Sequence, residues 1–96
     1  MDIITHNVAA RRFEMALGDQ TAFIAYVPRG EVLLLTHAEV PAALNGQGIG
    51  GRLVQATLDL LRTQGRRVEP LCPFIAVWID RHPHYADMLA SDPPRS

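Results

Sequence analysis

The sequence contains no lysine; all nine of its basic residues are arginine. That absence removes any mechanism built on a lysine Schiff base, and any phosphate loop that needs a Gly-Lys-Ser/Thr signature. Cysteine occurs once, so an internal disulfide is excluded, and this usage fits a reducing compartment. No apolar run approaches the roughly 20 residues of a membrane-spanning helix. The N-terminal segment carries Asp2, His6 and Asn7 where a signal peptide would be apolar, so the expected location is cytoplasmic. Net charge is scarce as well. The formal value of −1 leaves no electrostatic footprint for nucleic acid or for an anionic membrane surface.

What remains is the composition of a packed globule, 48% hydrophobic and 20% charged over 96 residues. The length predicts one domain over residues 1–90, followed by a flexible Ser/Asp/Pro tail over 91–96. A chain this short buries about 60–70% of the surface its unfolded form exposes, which makes pairing into a homodimer a natural expectation.

The first half of the chain reads as strands. Arg11 to Leu17 alternates, with Phe13, Met15 and Leu17 on one face. Gly18-Asp19-Gln20 marks a turn, Thr21 to Val27 is rich in β-branched and aromatic residues, and Pro28-Arg29-Gly30 turns the chain again. Glu31 to Thr36 is apolar almost throughout, which predicts a central strand covered on both faces. Three strands joined by three-residue turns imply an antiparallel meander. After a connector containing Pro41, apolar residues recur at helical spacing from Ile49 to Leu61, and Gly65 ends that helix. Arg67 to Cys72 predicts a short strand, Pro73 opens a second helix that stops before Pro83, and a last turn covers Tyr85 to Leu89. The expected fold class is α+β, a mixed sheet in the order βββαβα. Its antiparallel meander is followed by a right-handed parallel β-α-β crossover.

Gly46, Gly48, Gly50 and Gly51 lie where the connector enters the first helix. Clustered glycines let a ligand approach the backbone, and the helix start adds unpaired N–H groups and a positive dipole end, which suit a pyrophosphate. The NTPase loop is excluded by the missing lysine. The dinucleotide fingerprint G-x-G-x-x-G is met formally by Gly46, Gly48 and Gly51, with Glu69 near the acidic position. Its context is wrong, because His37 to Asn45 separate the strand from the first glycine and the preceding strands are hairpins. A tight turn without a ligand is the bland alternative. The third reading is an acyl-CoA loop: Asn45-Gly46-Gln47-Gly48-Ile49-Gly50 resembles the Arg/Gln-x-x-Gly-x-Gly/Ala loop of the GNAT N-acetyltransferases, with Asn45 in place of Arg or Gln.

The flanks carry the same resemblance. His37-Ala38-Glu39-Val40-Pro41, the glycine loop, Val68 to Phe74 and Arg81 to Asp87 together resemble the small, single-domain YjdJ-type branch of the GNAT superfamily over about positions 10–90. Ala38 replaces a hydroxyl residue usual there, and His84 replaces an acidic one. The resemblance implies a reduced GNAT-type sheet and the binding of acetyl-CoA or coenzyme A by Val40, Asn45, Gly46, Gln47, Gly48, Ile49, Gly50 and Gly51. It also implies transfer of acetyl to an amine, with a small molecule or a protein as acceptor and neither nucleic acid nor membrane as partner.

Two catalytic candidates come from topology. His37 ends the third strand and Cys72 the fourth, so both are expected at one sheet edge beside the loop, within reach of each other. The unperturbed pKa of an imidazole suits a general base, which makes His37 the candidate for that role, and Cys72 is the candidate nucleophile. Tyr85 is the candidate acid by resemblance to the late-helix tyrosines of GNAT enzymes. Each has a packing alternative: a core thiol, a histidine bonded to backbone, a tyrosine with a satisfied hydroxyl. His82 and His84 have no third ligand spaced near them, so no metal is expected. Beside the N-acetyltransferase stand two rivals, a non-catalytic acyl-CoA-binding or sensing module and a Cys/His hydrolase.

Overall fold

In the computed structural model, which describes residues 2–90, the strand-forming stretches build a five-stranded mixed sheet. Its strands are β1 (Thr5–Asn7), β2 (Arg12–Leu17), β3 (Gln20–Arg29), β4 (Val32–Glu39) and β5 (Arg67–Pro70), side by side in chain order. The pairs from β1 to β4 are antiparallel, and β4 with β5 is parallel. Only a crossover can join parallel neighbours, and helix α1 (Ile49–Thr63) supplies it. Helix α2 (Pro73–Asp80) and a 3-10 segment (Pro83–Met88) follow β5. The fold is thus α+β with a mixed sheet, as expected. The tail expected at 91–96 lies outside the described residues.

The period of two decides which side chains are buried. Phe13 and Met15 of β2, Ala22, Ile24 and Tyr26 of β3, and Leu33 and Leu35 of β4 share one face. That face meets Leu53, Val54, Leu58 and Leu61 of α1 and Ile75 and Ile79 of α2 in one core cluster. Fully burying a side chain of this size contributes about 1.5–3 kcal/mol, so this layer contact is what holds helices to sheet. Among the described residues the opposite sheet face has no such layer. Val32 and Leu34 are only half-buried there and Val27 is exposed, which corrects the expectation that the third predicted strand is covered on both faces. The apolar run Val32–Leu35 reflects one buried row and one row packed only within the sheet, Leu34 beside Val27.

The turns are shorter than expected. Gly18-Asp19 and Gly30-Glu31 join the strands in two residues, with φ of 65° at Gly18 and 61° at Gly30, as hairpin turns that place glycine first require. β1 was not legible in the sequence, because three residues are too few to show a period. A four-residue connection turns it into β2, held by the Ala10 N–H donated to Asn7 Oδ1 at 3.1 Å. At the other end α1 closes through Gly65 at φ 66°. Gly65 N–H bonds Arg62 O at 3.1 Å and Arg66 N–H bonds Leu61 O at 3.0 Å, a Schellman pair. β5 stops at Pro70, two residues before the expected end. Leu71 and Cys72 then both donate their N–H to Leu35 O, at 2.9 and 3.0 Å, as the chain leaves the sheet.

Candidate active site

Two irregularities of β4 shape the site. The first is its free edge: pairing with β5 ends at Leu35, yet the strand runs on to Glu39, so Thr36–Glu39 has β3 on one side only. The second is a bulge. Tyr26 pairs with Leu35 and Ala25 with His37, which leaves Thr36 as an extra residue. The bulge shifts the alternation by one. Ala38, opposite Ile24, faces the helices, while His37 and Glu39, opposite Ala25 and Phe23, face the open side.

Past β4 the chain makes a 3-10 turn (Ala42–Leu44) and reaches the glycines. Gly46 and Gly48 have φ of 81° and 72°, the left-handed region that favours glycine, and Gly48 is the N-cap of α1. Among the described residues no side chain caps this helix, and no acidic residue lies in its first turn. The first rung of its ladder is Arg52 N–H to Gly48 O at 3.2 Å, so the N–H groups of Ile49, Gly50 and Gly51 have no partner within the helix. These groups open onto a cleft of about 420 Å³. Ala38 and Val40 form its β4 wall, Leu44, Asn45, Gly46 and Gly48 its loop wall, Ile49, Gly50 and Gly51 its floor, and Phe74 of α2 its far side.

The four glycines divide by role. Among the described residues a Cβ at Gly46 or Gly48 would meet nothing within 4 Å and would project into open space. At Gly50 it would come within 2.8 Å of Phe74 Cζ, and at Gly51 within 3.3 Å of Trp78 Nε1. The first pair therefore sets the backbone, and the second lets α2 press on α1. Of the eight residues expected around a cofactor, Gln47 alone does not line the cleft. Ala38, Leu44 and Phe74 line it without having been expected. Phe74 is 48% exposed there.

The three catalytic candidates are not gathered. The His37 ring is half-exposed on the open face, its Nε2 3.2 Å from Glu39 Oε1 and its centroid 6.1 Å from that of Phe23. Cys72 is buried in the core cluster on the helix-covered face. Their expected proximity is corrected, and the bulge is the reason. Unbroken alternation from Leu33 and Leu35 would have put His37 on the face of Cys72. Tyr85 is buried and donates its hydroxyl proton to Asp59 Oδ1 at 2.7 Å. Burial, reinforced by the Asp59 carboxylate, holds its pKa above the ordinary tyrosine value of 10.0. Asp59 is nine residues beyond Gly50 on α1, about 13 Å at 1.5 Å per residue, so the Tyr85 hydroxyl stands well away from the cleft. His82 stacks on Trp78 with centroids 3.8 Å apart and donates from Nδ1 to Trp78 O at 2.7 Å. Among the described residues no three His, Cys, Asp or Glu side chains gather as a metal site would require.

A meander feeding a parallel crossover, with a splayed strand and a glycine loop at an uncapped helix start, defines an α+β fold of the acyltransferase type. The chain belongs to the GCN5-related N-acetyltransferase family, whose model matches residues 12–88. The fold also resembles the solution structure of a GCN5-like candidate N-acetyltransferase from Staphylococcus aureus. The TM-score is 0.70 at 20% identity, covering 95% of this chain and 90% of that one. At that identity the likeness speaks for the fold. A search of curated proteins gave no match.

Proposed function

We propose that this protein is an acetyl-CoA-dependent N-acetyltransferase acting on an amine, and that it works in the cytoplasm. The observation that carries the reading is the cradle at the start of α1. Gly46 and Gly48 leave open space where any other residue would place a Cβ, directly before three N–H groups without helical partners. That arrangement fits the diphosphate of coenzyme A, since backbone donors and the helix dipole both favour an anion there. Bound acetyl-CoA supplies an activated acetyl thioester. The free edge of β4 along Thr36–Glu39 offers backbone donors and acceptors to the amide-bearing arm, as an added strand would use them. Val40 and Phe74 exclude water from its apolar flanks. His37, on the open face of the same four residues, takes the proton of the incoming amine.

Isothermal titration with coenzyme A and with NADH tests the cradle, and thiol release from acetyl-CoA in the presence of polyamines, aminoglycosides or N-terminal peptides tests the transfer. Binding of coenzyme A with thiol release supports the reading; binding of NADH alone overturns it. Binding without release by any amine points to the second reading, a non-catalytic acyl-CoA-binding module. The separation of His37, Cys72 and Tyr85 favours that alternative. Cys72 enters the proposal as a nucleophile only if Cys72→Ala lowers turnover more than tenfold at unchanged coenzyme A affinity, about 1.4 kcal/mol of transition-state stabilisation.

A further inference from the structure

His37 meets a carboxylate that its strand brings to it. Residues two apart on a strand share a face, and the bulge ensures that for His37 and Glu39 this is the open face. The contact runs from Glu39 Oε1 to Nε2, one specific ring nitrogen, at 3.2 Å. A carboxylate can only accept, so the proton of the neutral imidazole belongs on Nε2 and the lone pair on Nδ1. Among the described residues no group bonds Nδ1.

The neighbouring charges leave this pair to itself. On β2, Arg12 gives both Nε and Nη2 to Glu14 Oε2, at 3.0 and 2.8 Å, and lies over the Phe23 ring at 4.0 Å from its centroid. Asn7 of β1 also donates to Glu14, at 3.1 Å. Glu14 is therefore engaged by β1 and β2, and β3 presents only Phe23 and Ala25 toward His37. Among the described residues Glu39 pairs with His37.

We propose that Glu39 is the positioning residue for His37. It fixes the imidazole as the Nε2–H tautomer, so that Nδ1 receives the acceptor amine's proton. The role of His37 as base rests on the functional reading above; the tautomer does not. In the step itself an N–H bond of the amine breaks, its electron pair stays with nitrogen, and the proton forms a bond to Nδ1. The Glu39 carboxylate lies beside the imidazolium and offsets its charge. An exposed pair of this kind adds little to stability, so its effect should appear in the state of the ring and not in the melting temperature.

Long-range proton–nitrogen correlation on histidine-labelled full-length protein, at a pH where the four imidazoles are neutral, reads the tautomer without any ligand. The His37 signals are assigned by their loss in His37→Gln, and the other three histidines report that each variant is folded. Wild type should show Nε2–H at His37. Glu39→Gln keeps an acceptor oxygen and should keep the tautomer, while Glu39→Ala should let it relax to a mixture. With acetyl-CoA and an accepted amine, Glu39→Ala should lower kcat about tenfold at constant KM for acetyl-CoA, and Glu39→Gln should recover part of that loss. An Nδ1–H tautomer in wild type, or an unchanged tautomer in Glu39→Ala, overturns the proposal. So does an unchanged kcat. If Glu39 controls the tautomer but no amine is ever acetylated, the functional reading fails while the coupling of the two residues stands.

Discussion

Thr57 sits in the middle of α1, completely buried, and its Oγ1 is the buried side-chain oxygen without a hydrogen-bond partner among the described residues. Burying a hydroxyl without a partner costs about 1–3 kcal/mol. Valine has the same shape without that oxygen, so Thr57→Val should raise stability by about 1 kcal/mol, or roughly 4–8 °C in Tm for a domain of this size. Calorimetry checks this, and an unchanged or lower Tm would show that the hydroxyl has a partner within the folded chain. Single residues also set the limits of what the sequence disclosed about chemistry. His37 and Glu39 were visible as residues, yet only the structure joins them, because the extra residue at Thr36 leaves no mark in the pattern of apolar positions.

At the scale of elements, the glycine loop and α1 show why some of the site was legible. A helix start after closely spaced glycines can be read directly, and Ile49 indeed opens α1. The division of labour among those glycines was not legible, since it depends on what α2 places against them. Gly48→Ala meets no atom within 4 Å but forces alanine to φ 72°, a cost of about 1–2 kcal/mol, which Gly48→Asn should partly restore. Gly50→Ala is different: it gains about 1 kcal/mol of helix propensity but drives its Cβ to within 2.8 Å of Phe74 Cζ. Urea denaturation should therefore show Gly48→Ala weakened and Gly50→Ala near wild type. Titration should show Gly50→Ala binding coenzyme A more weakly, because the displaced ring is a wall of the cleft. Equal affinities in Gly50→Ala and wild type would mean that Phe74 moves without consequence. The sheet was legible where strands run six residues or more. It was illegible at β1, with three, and β5 was legible except for its end, where Pro70 stops the pairing two residues early.

For the whole molecule, the described C-terminal segment is fastened to the body by a few polar ties. Arg62 of α1 bonds Asp87 at 2.9 and 3.1 Å, Ala90 N–H reaches Val68 O at 2.9 Å, and Tyr85 donates to Asp59. Because the folded pKa of Tyr85 is raised, its contribution is complete below pH 10 and is lost as pH climbs through the folded value. Urea midpoints measured from pH 8 to 11 should therefore fall along an alkaline limb that is flatter in Tyr85→Phe, itself weaker at neutral pH by about 1 kcal/mol. Parallel limbs would place the alkaline loss elsewhere. The bulge at Thr36 acts on the same global scale. One supernumerary residue inverts the parity of β4, so the strand is written in two phases: Leu33 and Leu35 in one, His37 and Glu39 in the other. With Thr36 paired in unbroken register instead of bulged out, the same composition would turn an imidazole and a carboxylate inward and an alanine outward. Packing and chemistry are thus encoded along one strand without competing for the same side of it.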